Sequence, residues 1–338
     1  MAGREFTNAP GIGGSPGISF RVGPGMLLYA AKRIVLGIVI LLIIVLALFS
    51  MIHVLPGDPV VVALGPHATA AMRARFREQM GLDLPLPVQY LHYLLRLVRG
   101  DFGTDIWSGA PVATLILRVL PNTLILAGAS MGWAFVMGTL LGTVAALKRG
   151  RWPDWLVGFV SVGLVGLPSF LVALLLLLLF AVKLNWLPAV GAGDSGDLSS
   201  QVRALILPSL AVGLGWVGYT ARLVRGAMLG ALQENYIRTF RAFGVARWRI
   251  VLYALRQAMV SVAPIIAVGV SSLISGAVFA EIVFSRPGIG RLTYDAVATR
   301  NYPVIMGTVL VTTMLYVAAM IAADLIIAWL DRRVRASL

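Results

Sequence analysis

The sequence predicts an all-α polytopic membrane protein with six transmembrane helices and both termini in the cytoplasm. Three observations carry this prediction. The 338 residues are 59% hydrophobic and only 12% charged, with a mean hydropathy of +0.89, whereas a soluble domain carries about 25% charged residues. Six apolar runs, at about 34–54, 119–146, 155–183, 204–224, 259–284 and 303–330, each reach the roughly 20 residues that a spanning helix needs. The charges between those runs are distributed unequally.

Residues 1–25 are rich in glycine and proline and lack the apolar content to pack, so they read as a flexible cytoplasmic tail. The first run follows Lys32-Arg33 with no small-residue cleavage site behind it, so it reads as a retained helix and not a removed leader. "LPGDP" ends that helix abruptly, because prolines cannot continue the ladder. The segment 26–118 is then the first helix plus a large outer loop, Leu55 to Arg118. Within the loop, "ATAAMRARFREQMGL" and "VQYLHYLLRLVRGDFG" read as short amphipathic helices stopped by Gly81 and Gly100. Residues 119–331 form a five-helix core with a polar loop at about 225–258, and 332–338 a basic cytoplasmic tail. Several runs are interrupted by proline, at Pro168, Pro208 and Pro264. Membrane helices tolerate this where neighbours satisfy the freed carbonyls, and the third run is expected to kink at Pro168 rather than break.

The charges set the orientation. With the termini, 147–154 and 225–258 placed inside, and Arg222 at the end of the fourth run counted with them, the inner segments carry a net charge of +13 and the three outer loops only +2. The positive-inside rule puts both termini in the cytoplasm. The overall charge of +14 is thus a topology signal, and nucleic acid is not among the expected partners. There are no cysteines, which excludes disulfides and thiolate metal sites.

The longest polar stretch is "ENYIRTFRAFGVARWRI", residues 234–250. On a helical wheel Tyr236, Ile237, Phe240 and Phe243 share one face, with Arg238 and Arg241 opposite. Gly244 is expected to end this helix, and "VARWRIVLYALRQAM" to begin the next. Periodicity alone leaves two readings open: an interfacial anchor on anionic lipid, or a docking helix for a partner.

The residue identities add more. "NYIRTFRAFGVARWRIVLYALRQAMVSVAP" resembles the cytoplasmic loop of bacterial ABC-importer permeases of the dipeptide and oligopeptide family, with Tyr236, Arg238, Thr239, Arg241, Ala242 and Gly244 matching. Ala254, Leu255, Arg256, Ala258 and Pro264 match as well, while Phe240 stands for the family's alanine, Phe243 for its lysine and Gln257 for its asparagine. "LPGDPV", "GLDLPLPVQYL", "RGDFG", "PVATLILRVLPNTLILA", "EIVFSRPGIGRLTYDAV" and "NYPVI" follow in the family's order, and the similarity begins at Met26. Asn301 replaces the usual aspartate, Asp105 a common serine and Arg332 a proline. The resemblance implies the first permease of a heterodimeric pore in the bacterial cytoplasmic (inner) membrane, with the type I importer fold of methionine and maltose importers. It implies a second homologous permease, two cytoplasmic ATPases and an extracytoplasmic binding protein as partners. ATP and magnesium would be held by the ATPases, with no cofactor in this chain. It makes Tyr236, Arg238, Thr239, Phe240, Arg241, Ala242, Phe243 and Gly244 the helix that couples the ATPases to the pore. Peptides are the implied cargo, with nickel chelates and glutathione as alternatives within the class.

Other signals are weaker. "GASMG" (128–132) imitates the nucleophile elbow of hydrolases, but it lies inside a span with no histidine near it in sequence. Its small residues, and the G-x-x-x-G patterns "GTLLG" (138–142) and "GAMLG" (226–230), read as close helix contacts, the last most weakly. His53, His67 and His92 show no ligand spacing, so no metal is expected. No G-x-x-x-x-G-K-[ST] phosphate loop is present. These absences leave an intramembrane enzyme or a secondary transporter as distant alternatives. Glu281, Asp324 and Asp331 lie in or beside spans, where ionisable groups have structural or functional roles. Asp324 and Asp331 are expected to pair with loop arginines.

Overall fold

The computed structural model describes residues 24–54, 60, 69–80, 84–194 and 196–330. The expected tails, the Leu55–Pro59 turn and Asp331 lie outside them. Among the described residues the regular structure is helical: α1 (Pro24–Val54), α2 (Ala70–Met80), α3 (Leu86–Val98), α4 (Val112–Leu147), α5 (Trp152–Gly166), α6 (Ser169–Leu176, continuing as a π-helix over Leu177–Lys183), α7 (Leu198–Gln233), α8 (Asn235–Ala242), α9 (Arg247–Val283), α10 (Ile289–Ala298) and α11 (Tyr302–Leu330).

Four of these are long and apolar enough to cross a membrane over Leu28–Ser50, Val112–Leu147, Leu198–Gln233 and Tyr302–Ile326, and the bent pair α5–α6 makes a fifth if counted as one span. The run at 259–284 lies on α9, one continuous helix of 37 residues. At 1.5 Å per residue, α4, α7 and α9 are each about 54 Å long, well beyond a hydrocarbon core of about 30 Å. Their surplus turns stand clear of the apolar slab, and α7 and α9 together carry α8 at their ends.

The third run departs from expectation. The kink predicted at Pro168 is a break, with α5 and α6 meeting at 103°. Leu167 is extended (φ −85°, ψ 126°), as the steric bulk of a following proline requires. Pro208, by contrast, stays inside α7. Beside it the Ser209 hydroxyl donates to Ile206 O at 2.9 Å, and the Trp133 indole of α4 donates to Ser209 O at 3.0 Å, tying this part of α7 to α4.

α7 is the central element, packed by α4, α5, α6 and α9. The α4 contact is very close: a Cβ on Gly142 would lie 2.5 Å from Ala221 O, and one on Gly138 2.6 Å from Thr220 Cβ. The "GTLLG" pattern is therefore a helix contact, as expected. The small-residue reading fails elsewhere. Neither Gly128 and Gly132 nor Gly226 and Gly230 would meet anything within 4 Å. Ser130, between the first two, is fully buried and donates to Leu126 O at 2.7 Å. Three main apolar clusters stack along the bundle. One joins α1, α3, α4, α10 and α11, a second surrounds Leu126, Leu207 and Leu273, and a third lies under α8.

Candidate functional site

α8 is a two-turn helix wedged between the ends of α7 and α9. Ile237 is fully buried and packs with Met228, Ala231, Ile250 and Ala254. Tyr236 and Phe240 are half-buried, and their rings meet edge to face at 5.7 Å. Phe240 in turn packs against Tyr253 of α9 at 5.1 Å. Burial first, and the Glu234 charge second, push the Tyr236 phenol above its ordinary pKa. The apolar face of α8 is therefore already covered by this chain.

The end of α8 is a Schellman motif. Gly244 N–H donates to Arg241 O at 3.1 Å and Val245 N–H to Phe240 O at 2.9 Å, with Gly244 at φ +69°. Gly244 ends the helix as predicted. Phe243 does not follow the wheel. It is the C-cap residue, where the backbone leaves the helix (φ −80°, ψ 5°), and its side chain is 80% exposed. The outward surface thus consists of Arg238, Thr239, Arg241, Ala242, Phe243 and Gly244. Arg247, Trp248 and Arg249 extend it, with Arg249 over the Trp248 ring at 5.2 Å. An aromatic anchor ringed by guanidinium groups suits a protein partner with an acidic rim.

Of the predicted acidic residues, Glu281 and Asp324 lie among the described ones, and Asp324 departs from expectation. Among the described residues its ion-pair partner is Nη1 of Arg33 on α1, at 2.7 Å, and not a loop arginine. The first helix brings its own counter-ion, and Arg33 also donates to the Tyr29 hydroxyl at 2.9 Å. Glu281 is fully buried at the other end of the bundle, and no guanidinium lies within ion-pair distance among the described residues. It accepts from Thr123 Oγ1 at 2.6 Å and from the Gly290 N–H at 2.8 Å. Thr123 in turn accepts from the Ile289 N–H at 2.9 Å. Glu281 therefore caps the N-terminus of α10, where a negative charge is favoured. The approach is so close that a Cβ on Gly288 would fall 2.1 Å from Glu281 Cδ, which explains the glycines of "RPGIG". His92 is exposed, and no cluster of metal ligands occurs among the described residues.

Two contacts were not anticipated from sequence. Arg225 of α7 grips buried Asp154 of α5 through both of its carboxylate oxygens, Nη2 to Oδ2 at 2.8 Å. An acidic residue opening an apolar helix was the available signal. The Asn301 side-chain amide donates to the Asp105 carboxylate across 196 positions. Asp105 also accepts from the Trp107 and Ser108 backbone N–H groups at 3.2 Å and from the Ser108 hydroxyl.

A central long helix, a broken span beside it and a short helix on an exposed platform define the permease class of ABC importers. Residues 138–336 match the family described as the inner membrane component of binding-protein-dependent transport systems, and residues 26–127 match its N-terminal region. The chain belongs to this family of inner-membrane permeases. It is 39% identical to the glutathione transport system permease protein GsiC of Salmonella typhimurium over 311 residues, 92% of this chain and 99% of that one. The corresponding protein of Escherichia coli K12 is 38% identical over the same coverage. The fold is similar to that of an inward-facing structure of the MetNI methionine ABC transporter (TM-score 0.52, 18% identity), covering 64% of this chain and 97% of that one. This is a type I importer fold, and the family is one of transport permeases, not enzymes.

Proposed function

We propose that the chain moves small peptides from a binding protein into the cytoplasm by alternating access, as the first of two homologous permeases. Two cytoplasmic ATPases, holding ATP and magnesium, would seat on the α8 platform. The observation that carries this reading is the platform itself. Its inner face is locked to α7 and α9 while Arg238, Arg241, Phe243 and the Gly244 turn face outward. A push on α8 then passes into two helices that cross the membrane, because the contact is a packed cluster and not a flexible loop.

Glutathione is the second reading for the cargo, favoured by the relatives at 38–39% identity. Reconstitution into proteoliposomes with the second permease, the ATPases and the binding protein separates the possibilities. ATP-dependent uptake of labelled di- or oligopeptides is the expected outcome, and uptake of glutathione alone would support the second reading. Uptake by this chain without ATPases would overturn the importer mechanism.

A further inference from the structure

α5 and α7 are joined by the Asp154–Arg225 pair, by Val157 against Ala221, and at Gly218, where a Cβ would lie 2.8 Å from Ser161 O. Beside this contact, toward the start of α5, lies an open groove of about 490 Å³, lined by Trp155, Phe159, Val162, Arg222, Arg225 and Asp154. Trp155, Phe159 and Val162 are spaced by four and three residues, so they form one stripe along α5. They are 77%, 78% and 63% exposed. Seven residues of helix make this apolar track about 10 Å long.

The other end is charged. Asp154 is already neutralised by Arg225. Arg222, one helical turn from Gly218, is exposed and has no carboxylate partner among the described residues. The polar end therefore has two guanidinium groups, Arg222 and Arg225, against one carboxylate. The two ends segregate by polarity, with an indole where headgroups meet acyl chains, and that is the profile of a lipid. A bound polypeptide would call for backbone partners along the track, and the side chains there offer little beyond Ser161 and the Trp155 indole.

We propose that this groove binds one anionic glycerophospholipid, with its phosphate against Arg222 and an acyl chain along Trp155, Phe159 and Val162. The site lies apart from the α8 platform and does not depend on the cargo or the ATPases. Lipid here would brace α5 against α7, ahead of the break at Pro168.

The test uses the chain purified with its bound subunits in nanodiscs containing phospholipids with brominated acyl chains, which quench tryptophan on contact. The difference between the wild type and Trp155→Phe isolates the Trp155 signal. Its quenching is expected at about a fivefold lower mole fraction of phosphatidylglycerol than of phosphatidylcholine, the size of one guanidinium-to-headgroup contact. Arg222→Gln should erase that preference, and Arg222→Lys should keep most of it. Equal quenching by both lipids, or a preference that survives Arg222→Gln, overturns the proposal. Reversal of the quenching by millimolar inorganic phosphate would reveal a free-anion site instead. A Phe159→Cys variant that cross-links to the second permease would show that protein fills the groove.

Discussion

Asn301 and Asp105 stand 196 positions apart in sequence, and their side chains are hydrogen-bonded, the amide donating to the carboxylate. Asn301→Asp alone sets two carboxylates together and should destabilise the outer loop by about 1–3 kcal/mol. Adding Asp105→Ser should recover most of the loss, as a thermal unfolding cycle in detergent would read; additive losses would refute the coupling. The same loop has a definite pH response. Burial opposes ionisation of Asp105, but hydrogen bonds from Ser108, Trp107 N–H and Asn301 outweigh it and hold the carboxyl below its usual range. Asp101 is lowered in the same way, with Arg96 and Gly103 N–H overcoming burial. Groups with depressed pKa values contribute fully above the unfolded value of about 3.9 and lose that contribution as pH falls through the folded values. Hydrogen exchange over 99–111 should be slow at pH 5 to 7 after correction for intrinsic rates, and protection should fall below about pH 4. Unchanged protection at pH 3 would contradict this assignment.

At the scale of elements, α8 depends on its C-terminal turn. A Cβ on Gly244 would touch nothing within 4 Å, so the only penalty of a substitution is its φ of +69°. For a β-branched residue that penalty is about 1–2 kcal/mol. It is small against the stability of the bundle but large enough to re-aim a two-turn helix. Gly244→Val should therefore insert normally and dock the binding protein, yet lose most of the ATP hydrolysis stimulated by loaded binding protein. A variant that assembles and keeps wild-type stimulation would remove the coupling role. Gly142 makes the contrasting case, since its Cβ would strike backbone at Ala221 O. Gly142→Val should separate α4 from α7 and reduce the yield of folded protein severalfold. Normal yield and melting temperature would show that the crossing can relax.

For the whole molecule, the orientation rests on charge asymmetry. Single cysteines introduced into this cysteine-free chain should label from outside at 60–110 and 290–300, and only after permeabilisation at 148–152 and 236–249. Outside labelling at position 240 would reverse both the topology and the proposed seat of the ATPases. A chain starting at Met26 should insert and transport normally, because the preceding residues have little apolar content to pack and the matched family region begins at residue 26. Loss of transport with normal insertion would give that tail a function.

Four of the six expected spans were legible in the sequence because apolar length is a one-dimensional quantity, and so was the helix at 235–242 with Gly244 as its stop. Residue identity at spaced positions was likewise enough to place the chain in its family. What the sequence did not determine was where side chains go once helices are bent and stacked. Pro208 stays inside its helix while the chain breaks at Pro168, a difference that the apolar runs themselves do not carry. Phe243 looked apolar-facing on an ideal wheel, but the wheel stops at Ala242 and the turn throws its ring outward. Glu281 and Asp324 were visible as charges in apolar runs. Their partners, the start of α10 and Arg33 on α1, are 9 and 291 positions away. Only packing brings such groups together, because burial forces a charge to find a partner without specifying which one.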